Sequence, residues 1–203
     1  MDFNQSAFPG KKLIQAPGYQ ESDLADYNTY SLKAGAGLYY RFKPSLELSY
    51  LFKFGIGTAI YQGTNRYSIN NIRFFQNKIE LKGKNFFIKA YTTNENAGNS
   101  YDMVFTANNI SKAGVSEYIG EYLGRYFDVL DTLTNGFCSD CLRSWMVDSA
   151  NNAALRAAEM GWYRPGTTGF DSLYNVITND PNLETGSKFL DESSLQHIEG
   201  QYQ

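Results

Sequence analysis

The sequence predicts a fragment of an all-β transmembrane β-barrel, made of antiparallel up-and-down hairpins and carrying a long, partly helical extracellular loop. Three observations lead there. A strict two-residue alternation runs through Tyr30 to Phe42 and again through Leu46 to Ile60; a period of two is that of a strand, whereas a helix repeats every 3.6 residues. The arms are long, since globular strands most often run about 5 to 6 residues and a tilted membrane-spanning strand needs about 9 to 11. Short and long connections alternate, as periplasmic turns and extracellular loops do.

Taken in order, residues 1–29 hold Pro9-Gly10, Pro17-Gly18 and the acidic Glu21-Ser22-Asp23 without sustained periodicity, and read as an extracellular loop segment. Residues 30–93 read as two antiparallel barrel hairpins. In the first arm Leu32, Ala34, Ala36, Leu38, Tyr40 and Phe42 alternate with Ser31, Lys33, Gly35, Gly37, Tyr39 and Arg41. A turn at Lys43-Pro44-Ser45 sets Ala36 against Phe52, Gly37 against Leu51, Gly35 against Lys53 and Arg41 against Glu47. Small residues then face large ones and the charges complement each other, each pair contributing roughly 0.2 to 1 kcal/mol. The polar run 61–71 reads as a loop. The second hairpin is expected from Phe75 to Leu81 and from Phe86 to Thr93, turning through Lys82-Gly83-Lys84-Asn85; pairing Leu81 with Phe86 opposes Lys78 to Lys89, an unfavourable contact.

Residues 94–196 form the long loop, which at this length requires structure of its own. From about Gly114 the period becomes helical, with Val115, Tyr118, Ile119, Tyr122, Leu123, Tyr126, Phe127 and Leu130 in one stripe. Further helices are predicted over 140–159 and 168–178, the latter stopped before Pro181. Residues 197–203 begin the next strand.

Composition supports this reading. The 203 residues carry a net charge of −3, without the basic excess that nucleic acid would require. Charged residues are 19% against a usual ~25%, and the 16 Tyr and 14 Phe suit aromatic girdles. No run approaches the roughly 18 apolar residues of a membrane-spanning helix, and Met1-Asp2-Phe3-Asn4-Gln5 lacks the blocks of an export signal. An outer-membrane barrel needs export, so the expectation is that the chain is a piece of a longer protein or that Met1 is not the true start.

Several runs together resemble TonB-dependent outer-membrane receptors of the Bacteroidetes type. They are Asp26-Tyr27-Asn28 with Ser31-Leu32-Lys33, Ile60-Tyr61-Gln62-Gly63 with Asn65-Arg66-Tyr67-Ser68, Gly83-Lys84-Asn85-Phe86-Phe87, Ala90-Tyr91-Thr92-Thr93 with Ala97-Gly98-Asn99-Ser100-Tyr101-Asp102, Thr178-Asn179-Asp180-Pro181, and Thr185-Gly186-Ser187-Lys188-Phe189. The resemblance implies an internal piece of a plugged barrel of about 22 strands in the cell outer membrane. That barrel takes up a scarce nutrient, such as a siderophore, glycan or peptide, with energy from the inner membrane. The implied partners are outer-membrane lipid, the rest of the barrel and its plug, TonB through a missing N-terminal part, and the nutrient. Under it the even residues of the first hairpin face lipid, Lys33, Arg41, Glu47, Lys53, Lys78, Glu80 and Lys89 face the lumen, and the long loop acts as a lid or binding surface.

Catalytic chemistry finds little footing. Cys138-Ser139-Asp140-Cys141 is read as a local disulfide or two unpaired thiols in preference to a redox or zinc site, because a second C-x-x-C, a His pair and a βαβ pattern are all missing. His197 has no nucleophile elbow to serve. Gly35-x-Gly37 and Gly55-x-Gly57 lie within strands and open no helix, unlike phosphate loops. The expected protein is therefore not an enzyme and needs no metal or cofactor. Candidate ligand contacts are the loop tip Asn65, Arg66 and Tyr67, and in the long loop Trp145, Trp162 and Tyr163, although aromatic stripes more often pack locally. The alternative is a soluble α+β ligand-binding domain in which helices cover the apolar face of a four-stranded meander.

Overall fold

A computed structural model describes residues 13–136 and 138–203; residues 1–12 of the expected N-terminal loop lie outside them. The elements are α1 (Glu21–Leu24), β1 (Ser31–Lys43), β2 (Leu46–Gln62), β3 (Arg66–Lys82), β4 (Phe86–Asn96), β5 (Tyr101–Asp102), α2 (Met103–Thr134), a 3₁₀ turn (Ser139–Cys141), α3 (Ser144–Gly161), α4 (Thr168–Asn179) and β6 (Glu192–Tyr202). They divide into a sheet unit, Gln20–Thr106 with Asn175–Gln203, and a helical unit, Ala107–Tyr174 with the described part of Met1–Tyr19.

The expected all-β barrel is not what forms. The fold is mixed α/β, and its single antiparallel sheet is open. Strand order is β1-β2-β3-β4-β6, with β5 beside the start of β3. The outer edges of β1 and β6 have no strand beside them among the described residues, and five strands in line are too few to curl shut around a packed interior. The alternation that suggested a barrel reports one apolar and one polar face, which an open sheet has equally.

The first hairpin adopts the register expected from small-to-large pairing. Ala36 faces Phe52, Gly37 faces Leu51, Gly35 faces Lys53 and Arg41 faces Glu47. Its turn is tighter than expected, because Lys43 pairs with Leu46 across an irregularity between Arg41 and Lys43. The expected loop at 61–71 is instead strand: β2 and β3 each run 17 residues and turn through Gly63-Thr64-Asn65. Polar Ser68, Asn70 and Asn71 give this stretch the composition of a loop. They are satisfied here by a second layer, with the Asn70 amide donating to Ser100 Oγ at 2.9 Å and β5 pairing with Tyr67 and Ser68.

The second hairpin is shifted from its expected register. Leu81 faces Ile88, Lys78 faces Tyr91 and Lys89 faces Glu80. The shift removes the Lys78–Lys89 opposition and places unlike charges across the ladder, the favourable choice. β6 starts at Glu192, before the expected 197, and pairs with all of β4.

The helix expected from Gly114 starts at Met103. The start is set by Asp102, whose Oδ1 accepts from the amides of Val104 and Phe105 at 2.8 and 3.1 Å in an N-cap arrangement, and Met103 and Ile110 of the added turns are buried. Beside it Thr106 Oγ1 and Ser187 Oγ share a buried hydrogen bond of 2.7 Å. Tyr101 donates its hydroxyl to the Leu24 carbonyl at 2.7 Å. At the far end Asn135 and Gly136 take positive φ, and the Gly136 amide bonds the Asp131 carbonyl, the left-handed ending helices favour.

In the helical unit Tyr118, Tyr122, Tyr126 and Leu130, four residues apart on α2, are buried with Ala150, Ala154 and Ala158, four apart on α3. Alanines on one helix let large rings on the other pack close. Val115, Ile119 and Leu123 of the same expected stripe are exposed. Cys138 and Cys141 form a disulfide in the α2–α3 connection.

Candidate functional site

The register sorts the sheet into two chemically distinct faces. Rows across β1, β2, β3, β4 and β6 on the first face read Tyr40, Leu48, Leu81, Ile88, Gly200, then Leu38, Tyr50, Ile79, Ala90, Ile198, then Ala36, Phe52, Asn77, Thr92, Gln196. The next rows are Ala34, Phe54, Phe75, Asn94, Ser194 and Leu32, Ile56, Arg73, Asn96, Glu192. This apolar face is bare: Leu38 is 71% exposed, Ile79 49% and Ile198 79%. No helix among the described residues is long and apolar enough to cross a membrane, which leaves the strands' own apolar face as the feature to explain.

The second face gathers every residue expected to face a lumen. Its rows are Lys33, Gly55, Phe74, Glu95, then Gly35, Lys53, Gln76, Thr93, Leu195, then Gly37, Leu51, Lys78, Tyr91, His197, then Tyr39, Ser49, Glu80, Lys89, Glu199. Arg41, Glu47, Lys82, Phe87 and Gln201 close it at the turn end. Ion pairs run along it: Arg41 Nη2 to Glu47 Oε2 at 2.9 Å, Lys78 Nζ to Glu80 Oε2 at 2.6 Å, and Lys89 Nζ to Glu199 Oε2 at 2.9 Å. Hydrogen bonding from Lys89 holds the Glu199 carboxyl below the usual carboxylate range, and the carboxylate holds the Lys89 ammonium above its usual value. His197 packs at a tilt against Tyr91 with ring centres 4.9 Å apart, and its Nε2 lies 3.8 Å from the same carboxylate. Leu51, Lys53, Gln76, Lys78, Lys89 and Tyr91 line a depression of about 310 Å³.

Glu199, Tyr91 and His197 belong to this cluster in addition to the residues expected on this face. The parity of Leu195, His197, Glu199 and Gln201 was the available signal, weakened because Ser193, Ser194 and Gln196 blur the contrast between the two faces of β6.

The other expected contacts are used internally. Arg66 is clamped by Glu21 through Nε and Nη2 at 3.0 and 2.8 Å. The Arg66 and Tyr27 hydrogen bonds hold Glu21 low. Asn65 donates to Asp102 at 2.7 Å, and Tyr67 packs its ring on Tyr61 and Phe189. Trp162 is buried against Tyr118 and Tyr19, and Tyr163 lies over Gly114 and Gly169. Trp145 is exposed at the start of α3, roughly 25 Å along the helix from Trp162 at 1.5 Å per residue. Trp145 and Trp162 are therefore too far apart along α3 to share one small ligand. His, Cys, Asp and Glu do not gather into a metal-binding group among the described residues.

The chain has no match among family models, curated proteins or solved structures. Function is therefore argued from the two faces alone.

Proposed function

We propose that the chain is a segment of a TonB-dependent outer-membrane receptor for energised nutrient uptake, its sheet turning the apolar face to lipid and the charged face inward. The observation that carries this is the slanted edge of the apolar band. On β1 apolar residues reach Leu32, whereas on β6 they stop at Ile198, which lies in the row of Leu38. That is a drop of six residues, roughly 20 Å at 3.4 Å per residue, across four strand spacings or roughly 19 Å at 4.8 Å each. The band edge thus runs at about 45° to the strands, the tilt of strands that span a bilayer. Leu32 to Phe42 extends roughly 34 Å along β1, or about 24 Å when tilted by 45°, close to the ~25 Å apolar belt of such proteins.

The face is also large for a surface left in water. Five strands about eight residues deep present roughly 600 Å² at those spacings, at the top of the range for patches on monomeric soluble proteins. In this reading the charged face packs against a plug.

Single tryptophans test it, with Trp145 and Trp162 replaced by Phe. In vesicles containing brominated lipid, Leu38→Trp and Ile79→Trp are quenched while Tyr39→Trp and Lys78→Trp are not. Equal quenching at neighbouring positions rules the reading out.

A further inference from the structure

The charged face contains two lysines that its ion pairs do not use. Lys33 and Lys53 have no carboxylate partner among the described residues, whereas Lys78 and Lys89 do. Lys33 faces Gly55 and Lys53 faces Gly35, so the ammonium groups rise from diagonal positions roughly 7 to 8 Å apart, within reach of one guest.

The two glycines differ. The Lys53 stem lies over Gly35, its Cγ 3.9 Å from where a Cβ would stand, but a Cβ on Gly55 would meet nothing within 4 Å. Open space therefore lies over Gly55. It continues into a trough of about 570 Å³ lined by Lys33, Lys53, Phe74, Gln76 and Thr93 besides the glycines, a volume ordinary for small-molecule sites. Gly55 pairs directly with Phe74, so a ring forms the wall beside the empty floor. Gln76 Nε2 is directed to Thr93 Oγ1 at 3.4 Å.

We propose that this trough binds a small organic carboxylate, its charged end between Lys33 and Lys53 and its apolar body on Phe74 above Gly55. Charge complementarity selects an anion. The ring and the aliphatic lysine stems select one with an apolar body. Inorganic phosphate fits poorly, because backbone amides within a strand are committed to the ladder and no guanidinium lines the trough. The site lies wholly in the sheet unit and does not depend on what meets the opposite face.

The test is calorimetric titration of the full chain in detergent micelles with benzoate, benzyl alcohol and inorganic phosphate. Benzoate is expected to bind at least tenfold more tightly than either comparator, with affinity falling as salt rises. K33Q and K53Q should each weaken it about tenfold. Gly55→Val fills the floor and should abolish binding with the far-ultraviolet spectrum unchanged; Phe74→Thr, at an exposed strand position, provides the same test if the valine variant does not fold. Benzyl alcohol or phosphate binding as well as benzoate, or unchanged benzoate affinity in the lysine pair or in F74T, overturns the proposal.

Discussion

Replacing Leu38 by lysine separates lipid contact from water contact in one measurement. Leu38 lies in the row of Tyr50, Ile79, Ala90 and Ile198, four residues from Phe42 and six from Leu32. With a 45° tilt it sits roughly 10 Å inside a 24 Å belt, close to the middle. A lysine there costs about 2 to 4 kcal/mol in a bilayer, and at a belt edge such as Phe42 about 0 to 1. Partition of the full chain into liposomes, read by flotation, should fall roughly 30- to 700-fold for Leu38→Lys, and at most about fivefold for Phe42→Lys. Tyr39→Lys, one residue away on the charged face, should change little. In water all three are exposed substitutions within about 0.5 kcal/mol of neutral. Equal partition of the Leu38 and Tyr39 variants would refute the assignment of this face to lipid, and a loss no larger at Leu38 than at Phe42 would refute the tilt.

Other consequences concern folding. Ala154 is fully buried against the tyrosine stripe of α2, so Ala154→Leu should destabilise the helical unit by about 1 to 3 kcal/mol, read by helical circular dichroism on heating. Gly98 has φ +64°, and a Cβ there would crowd the Asn71 carbonyl. Gly98→Ala should cost about 1 to 3 kcal/mol and speed exchange of the Asn99 amide, which bonds the Asn70 carbonyl. The Lys89–Glu199 tie has a pH window set by its two shifts. The lowered Glu199 contributes above the ordinary carboxylate value of about 4.3 and is lost as pH falls through its own lower value. The raised Lys89 contributes below about 10.4 and is lost as pH climbs through its higher value. Carboxyl carbon shifts should show the Glu199 midpoint rising towards the ordinary value in Lys89→Gln.

What could be read from the chain alone was everything that repeats. Period two in β1 and β2 specified both faces and, through small-to-large pairing at Ala36–Phe52 and Gly37–Leu51, the register of the first hairpin. Period four in Tyr118, Tyr122 and Tyr126 marked the face of α2 that packs, whereas the Ala150, Ala154 and Ala158 row it meets on α3 was decided by packing. The tertiary structure decided what has no period. Asn70 and Asn71 look like loop until Asn99 and Ser100 bond the Asn70 backbone and the Tyr30 hydroxyl donates to Asn71 Oδ1. Arg66 looks free until Glu21 arrives from 45 positions away. Glu199 joins Lys89 only because β6 pairs with β4 across the whole helical insertion. Periodicity records which side of an element is apolar, a local property of the backbone repeat. Closure of the sheet, satisfaction of buried polar groups and the pairing of charges depend on which distant elements come to lie alongside, and no local repeat encodes that.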